Sequence, residues 1–393
     1  MTREEDSFSI VVEGWRSVAQ SLSIVNQFQC LELLKRSDLR LFHVDAPQPP
    51  RGFLRVGSWP RAQNLHEPDD ERALARIPAP PANTRIDATY RIAFPYDFSR
   101  SARGRTFVFA VAEGKRLNAY MIAGGQELKD CLPDEVTIVT PSNHSRARLI
   151  ASGAAPKKVK LVPHGADLRF FRPTTEESRQ RLRGSQGWAK EDFVFLHVGA
   201  LYEWKGTPVL LKAFAAVAAR HPHVRLILKG IDAVYASRAS VTDAIKGLAP
   251  DDRAQVANRI SYYGQTLSYE DLARLYQCAD VLVSPYSLEG FNMPVLEAIA
   301  CGLPVICTQG GPTDDFAREP FAWRITSQWI SVKGGASERL MPDLDHLIHL
   351  MDSTVKDREF RARAAATGPA FVEANYSWGR VTQRLIEVLK SED

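Results

Sequence analysis

No run of apolar residues in this chain approaches the roughly 18 needed to span a bilayer, so nothing in it reads as a transmembrane helix. The opening "MTREEDSFSI" is acidic and polar, which excludes a secretory leader, and a cytoplasmic protein is expected. The basic "PKKVK" at 156–160 leaves a peripheral contact with the inner face of the membrane open. Cysteine is scarce: Cys30, Cys131, Cys278, Cys301 and Cys307 are odd in number, scattered and without a C-x-x-C pair. That pattern fits buried thiols in a reducing compartment and excludes a disulfide framework or a metal knuckle. Charge of one sign is also lacking, since 50 Lys and Arg face 46 Asp and Glu, a net +4. With no basic and aromatic interleaving, nucleic acid is not an expected partner, whereas a small anion is. Neither G-x-G-x-x-G nor a Walker A loop is present, which removes the dinucleotide and P-loop signatures.

What is present is alternation, in two blocks. The first holds "SFSIVVE" (7–13), "LRLFHVD" (39–45), "YRIAFP" (90–95), "RTFVFAVA" (105–112), "EVTIVTP" (135–141) and "KVKLVPH" (158–164). The second holds "FVFLHVG" (193–199), "VRLILKG" (224–230), "RISYYG" (259–264), "DVLVSP" (280–285) and "PVICT" (304–308), with helices expected near 206–221, 236–248, 268–279 and 294–302. Nearly continuous apolar runs are what strands buried on both faces require, and strands alternating with helices make parallel sheets. Two doubly wound α/β domains follow, which suits 393 residues. The polar stretch 165–192 reads as a linker, 46–88 as an irregular excursion, and beyond about 340 only helices are evident.

In such sheets ligands bind beyond the carboxyl ends of the strands. The first strand of the first block ends in "EGWRS", where Gly14 permits a tight turn; a plain strand-to-helix turn explains it equally well. The first strand of the second block leads to Lys205–Gly206 at a helix start. A point charge there suits a phosphate, although Lys-Gly at a helix start is commonplace. After "DVLVSP" comes "YSLEGFNMPVLEAIACG", with Pro294 at the first helical position. Glu289 falls in the loop and Glu297 in the first turn, so two acceptor-only carboxylates border one helix N-terminus. They could take the hydroxyls of a ribose and a sugar, with helix amides holding the phosphate between. A glutamate in a first helical turn also favours the helix dipole with no ligand at all.

"VSPYSLEGFNMPVLEAIACGLPVICTQGG" resembles the E-x7-E signature of retaining GT-B glycosyltransferases of family 4, also called group 1. "VTPSNHSRARLIASGAAPKKVKLVPHGADLRFFRP", "LHVGALYEWKGTPVLLKAF" and "YYGQTLSYEDLARLYQCADVLVSP" resemble the same family in the same order. The resemblance implies a GT-B fold: two Rossmann-like, doubly wound parallel-sheet domains facing across a cleft. The acceptor domain would span 1–168 with a final helix at 377–393 packed back on it, and the donor domain 169–376.

The resemblance further implies transfer of a sugar from a UDP- or GDP-sugar to a hydroxyl of a carbohydrate or glycoconjugate, with retention. Glu289 would hold sugar hydroxyls and Glu297 the ribose diol. Gly290, Phe291, Asn292 and Met293 would line sugar and phosphate. Lys205, helped by Lys229, would neutralise the leaving diphosphate. Gly264, Gln265 and Thr266 would lie near the base, and Gly14, Trp15 and Arg16 near the acceptor. No cofactor or metal is implied, and the Asp343/Asp345 pair falls in a late helical segment. Three departures stand out. Ala200 replaces a frequent arginine, Glu113 occupies the stretch where relatives often carry a histidine, and Asn292 replaces a frequent glycine. Those departures keep a second reading in play, a catalytically weak sugar-nucleotide-binding scaffold. Within the fold, an epimerase or phosphorylase is the neighbouring chemistry. His164 reads as a structural residue where the chain crosses between the domains.

Overall fold

The computed structural model describes residues 7–16, 18, 20–47, 65–332 and 338–391. The chain divides into two compact units, one of Met1–His164 with Trp378–Asp393 and one of Gly165–Ser377.

The first unit is built on six parallel strands: β1 (Phe8–Gly14), β2 (Leu39–Asp45), β3 (Ala88–Ile92), β4 (Arg105–Phe109), β5 (Val136–Thr140) and β6 (Val159–Leu161). Their order is β2-β1-β3-β4-β5-β6, so the winding reverses between β1 and β3. Ile10, Val11, Ile138 and Val139 are wholly buried, as the unbroken apolar runs demand. The register sets Gly14 beside both Asp45 and Ile92, which aligns three strand ends. Helix Ser21–Leu34 is opened by the Gln20 side chain accepting from Leu22 N and Ser23 N. The last helix, Trp378–Lys390, lies against it, with Trp378 stacked on Phe28 at 4.9 Å. Six residues separate Gly14 from the first helix, so the glycine ends a strand rather than starting a helix directly.

The second unit carries β7 (Phe193–Val198), β8 (Val224–Lys229), β9 (Ile260–Tyr263), β10 (Val281–Ser284), β11 (Val305–Thr308) and β12 (Ala322–Ile325), all parallel. The order is β12-β11-β10-β7-β8-β9. The chain builds outward from β7 to β9 and then returns to the other side of β7, so the switch point lies between β7 and β10. Helix Thr207–Ala218 buries Leu210, Leu211, Phe214 and Val217 completely, each contributing about 1.5–3 kcal/mol.

Several elements fall where none was expected. Strand β12 and the antiparallel hairpin β13 (Ser327–Ser331) and β14 (Glu338–Pro342) precede the late helices. Helix Glu176–Ser185 sits within the linker stretch and helix Pro68–Arg76 within the stretch read as irregular, of which 48–64 lie outside the described residues. Among the described residues no helix is long and apolar enough to cross a membrane.

Candidate functional site

The loops after β7 and β10 flank the switch point of the second sheet, where ligands of open parallel sheets bind. Gly206 closes the first loop at φ +81°, and a Cβ there would lie 2.0 Å from the carbonyl oxygen of Pro285. Only a glycine lets this turn approach the end of β10 so closely. Ser287 N then donates to the Trp204 carbonyl at 2.8 Å. With the loops joined in this way, Lys205 Nζ meets Glu289 Oε1 at 2.7 Å, and both side chains keep part of their surface open, 20% and 14%. Hairpin β13–β14 braces the same corner: Leu340 N donates to the Ser287 carbonyl at 3.0 Å, and Arg339 Nη1 to Glu203 Oε1 at 2.7 Å.

Asn292 opens helix Met293–Ala300 from the left-handed region, φ 75°, with its Nδ2 donating to Ser284 Oγ at 2.9 Å. Pro294 stands at the helix start, where its missing N–H costs nothing. Glu297 is the fifth helical residue, so it belongs to the second turn and not the first as the sequence reading had it. Its Oε2 accepts from the Tyr276 hydroxyl at 2.7 Å, and burial pushes its carboxyl up to about 7 against the pull of that hydrogen bond. Gly290 is buried, and Phe291 is buried with its ring stacked on Phe316 at 5.0 Å. Met293 is half-buried.

Lys229, at the end of β8, is buried, donates to its neighbour Gly230's carbonyl, and has its ammonium pushed down to about 8 by desolvation. Gly264 follows β9 and is buried, with Gln265 and Thr266 exposed beside it. Asp232, which sequence reasoning did not single out, lies against Gly264: its backbone N donates to the Gly264 carbonyl at 2.8 Å, and a Cβ on Gly264 would fall 1.8 Å from Asp232 Oδ2.

In the first unit the residues after β1 are consumed internally. Trp15 is buried and donates through Nε1 to the Pro47 carbonyl at 3.1 Å. Arg16 clasps Asp45 through two hydrogen bonds, at 2.9 and 2.7 Å, and also donates to the carbonyls of Leu74 and Ile77. Glu113 lies in the loop after β4, half-buried, and its carbonyl is 3.0 Å from Nε2 of His144. An imidazole thus stands near Glu113, where the sequence offered only the glutamate; it comes from "SNHS", as the second residue of the helix after β5, Asn143–Ala151. His164 is buried between the rings of Phe109 and Trp378, and desolvation pushes it down to about 3, which keeps it neutral. Among the described residues no group of three or more His, Cys, Asp or Glu is placed to hold a metal ion.

Residues 178–368 match the family described as "Glycosyl transferases group 1". The GDP-mannose-dependent monoacylated alpha-(1-6)-phosphatidylinositol monomannoside mannosyltransferase of Corynebacterium glutamicum is 27% identical over 345 residues, 85% of this chain and 83% of that protein. The D-inositol 3-phosphate glycosyltransferase of Mycobacterium tuberculosis is 28% identical over 249 residues, 63% of this chain and 47% of that protein, so the match spans about half of that relative's length. Among solved structures, a glycosyltransferase from Rickettsia africae superposes with a TM-score of 0.69 at 14% identity, covering 98% of both chains. At that identity the likeness shows the fold alone, the α/β architecture of GT-B glycosyltransferases.

Proposed function

We propose that this protein, whose residues 178–368 match the group 1 glycosyl transferases, is a glycosyltransferase that moves a sugar from a nucleotide-sugar to an acceptor hydroxyl, with retention and without a metal ion. The observation that carries the reading is the Lys205–Glu289 pair at the switch point. Breaking the bond between the anomeric carbon and the phosphate oxygen leaves the electron pair on the diphosphate and positive character on the carbon. Preorganised positive charge at the leaving group is the largest lever on such a step. Lys205 supplies it, helped by Lys229 at the end of the neighbouring strand β8 and by the amides at the start of helix Met293–Ala300.

In the free protein Glu289 neutralises Lys205. A bound donor exchanges that partner for two: the phosphate takes the ammonium, and sugar hydroxyls donate to the carboxylate. Glu297 accepts the ribose diol from its place beside Tyr276. The acceptor hydroxyl attacks the face from which the diphosphate departs and passes its proton to a donor phosphate oxygen, so no second carboxylate is required. At the end of β1 the backbone around Gly14 is the proposed acceptor contact, since the Trp15 and Arg16 side chains are already engaged. The names of both curated relatives support a phosphate-bearing polyol or glycolipid as acceptor.

Nucleoside-diphosphate release from UDP-, GDP-, ADP- and dTDP-sugars, with and without EDTA, tests the reading. One donor should turn over regardless of EDTA and lose about a hundredfold or more in Lys205→Ala. Product of inverted anomeric configuration, or activity abolished by EDTA, would overturn retention or metal independence respectively.

A further inference from the structure

The far end of the second sheet, beyond β8 and β9, holds a carboxylate that the transfer chemistry does not use. Asp232 Oδ1 accepts from the Tyr262 hydroxyl at 2.5 Å and from Arg238 N at 3.0 Å, so the group is held in one orientation. Arg238 covers the ring of Tyr262 at 4.5 Å, and its Nε stands 3.6 Å from Oδ2, too far for a hydrogen bond. Oδ2 therefore faces a compensating charge but, among the described residues, accepts no hydrogen bond, in a side chain that is 36% exposed. It faces Gly264, where any side chain would collide with it.

The spacing suits a nucleotide. Glu289 follows β10 and Asp232 follows β8, with β7 between them. At ~4.8 Å per strand the two ends lie ~10 Å apart. A nucleoside diphosphate with its phosphates at Lys205 reaches its base toward β8 and β9.

We propose that Asp232 reads the base of the donor and selects guanine, an inference that rests on the nucleotide-sugar reading of the same unit. A carboxylate only accepts hydrogen bonds. Guanine offers two adjacent N–H donors, N1 and N2, on its Watson–Crick edge. Uracil offers one N–H between two carbonyl oxygens, which a carboxylate repels, and adenine sets an acceptor nitrogen beside its amino group. Oδ1 is already filled by Tyr262 and Arg238, so both guanine protons go to the two lone pairs of Oδ2, and a base that cannot supply them leaves that oxygen unpaired.

Titration calorimetry of the full chain with GDP, UDP, ADP and xanthosine diphosphate, on wild type and Asp232→Asn, tests this. Xanthine replaces the 2-amino group of guanine by a carbonyl, and a carboxamide can donate to that oxygen. Wild type should bind GDP at least tenfold tighter than UDP or ADP. The variant should lose GDP affinity tenfold or more and gain xanthosine diphosphate affinity by a similar factor, a swap that a merely structural role does not produce. A wild-type preference for UDP or ADP, or an equal loss of all four ligands in the variant, overturns the inference and leaves the transferase reading standing. Failure of wild type to bind any of the four overturns both. If the variant does not fold, a wild-type preference for UDP or ADP still overturns the inference.

Discussion

The carboxyl ends of the two sheets share an architecture and differ in what they do with charge. Both sheets reverse their winding beside the first strand of their unit, and both place a cation in the following loop. After β1 that cation, Arg16, is spent on Asp45 and two carbonyls, and its neighbour Trp15 is buried. After β7 the cation, Lys205, has a carboxylate partner delivered by another loop, and both keep a face open. An ion pair within a wall stabilises the wall, whereas an ion pair at a switch point can be exchanged for a ligand. Position at a strand end is therefore a weaker indication of a site than the identity of the partner.

The comparison is most sharply tested at the second unit's pair. Lys205→Ala and Glu289→Ala should each lower kcat by about 10²–10³-fold. The double variant should fall little further than either alone, because the two act as one unit. Fully additive losses in a double-mutant cycle would mean that the pair seen here is incidental.

Gly206→Ala comes next. It forces an L-residue to φ +81° and a Cβ into Pro285, and should cost about 2–3 kcal/mol in denaturant unfolding, with lowered activity. A variant of unchanged stability would show that the β7 loop can retreat from β10 freely.

Glu297 gives the pH dependence. Its folded carboxyl, at about 7, holds a proton more tightly than an ordinary one at 4.5. This group's contribution to stability is thus greatest below about 4.5 and is lost as the pH rises to about 7. Donor binding that needs the carboxylate runs the other way, strengthening roughly tenfold between about pH 6 and 8. Glu297→Gln should flatten both profiles; unchanged slopes would assign the titration to another group.

Smallest is Arg16→Ala, expected to cost about 1–2 kcal/mol through lost hydrogen bonds in the first unit. The kcat of folded enzyme should hold. A selective rise in acceptor KM without loss of stability would instead make the end of β1 a site of the same kind as the end of β7.

Much of this was legible beforehand, for definite reasons. Strands such as "FVFLHV" and "VRLILK" announce themselves because both faces are buried and almost every residue must be apolar. β12, "AWRI", escaped because an edge strand of four residues with an exposed Arg324 carries no such run. The β13–β14 hairpin escaped because "SQWIS" and "ERLMP" are short and half polar. Helix Pro68–Arg76 did carry local signals, a proline at its start and three acidic residues in its first turn, but buries only Leu74 and so lacks an apolar stripe. At the candidate site Glu289, Glu297 and Lys205 were legible from residue type and place. The partnership of Glu297 with Tyr276, the nearness of His144 to Glu113 and the setting of Asp232 were not.

By itself the sequence determined the doubly buried strands of both sheets and that those sheets are parallel, because burial on both faces leaves little choice of residue. Strand order was decided only in the tertiary structure, and with it which loops stand side by side. Lys205 and Glu289 meet because β10 returns next to β7, and Asp232 faces Gly264 because β8 lies next to β9. Adjacency in a sheet is set by packing over the whole unit, at ~4.8 Å per strand, and no local pattern of residues encodes it.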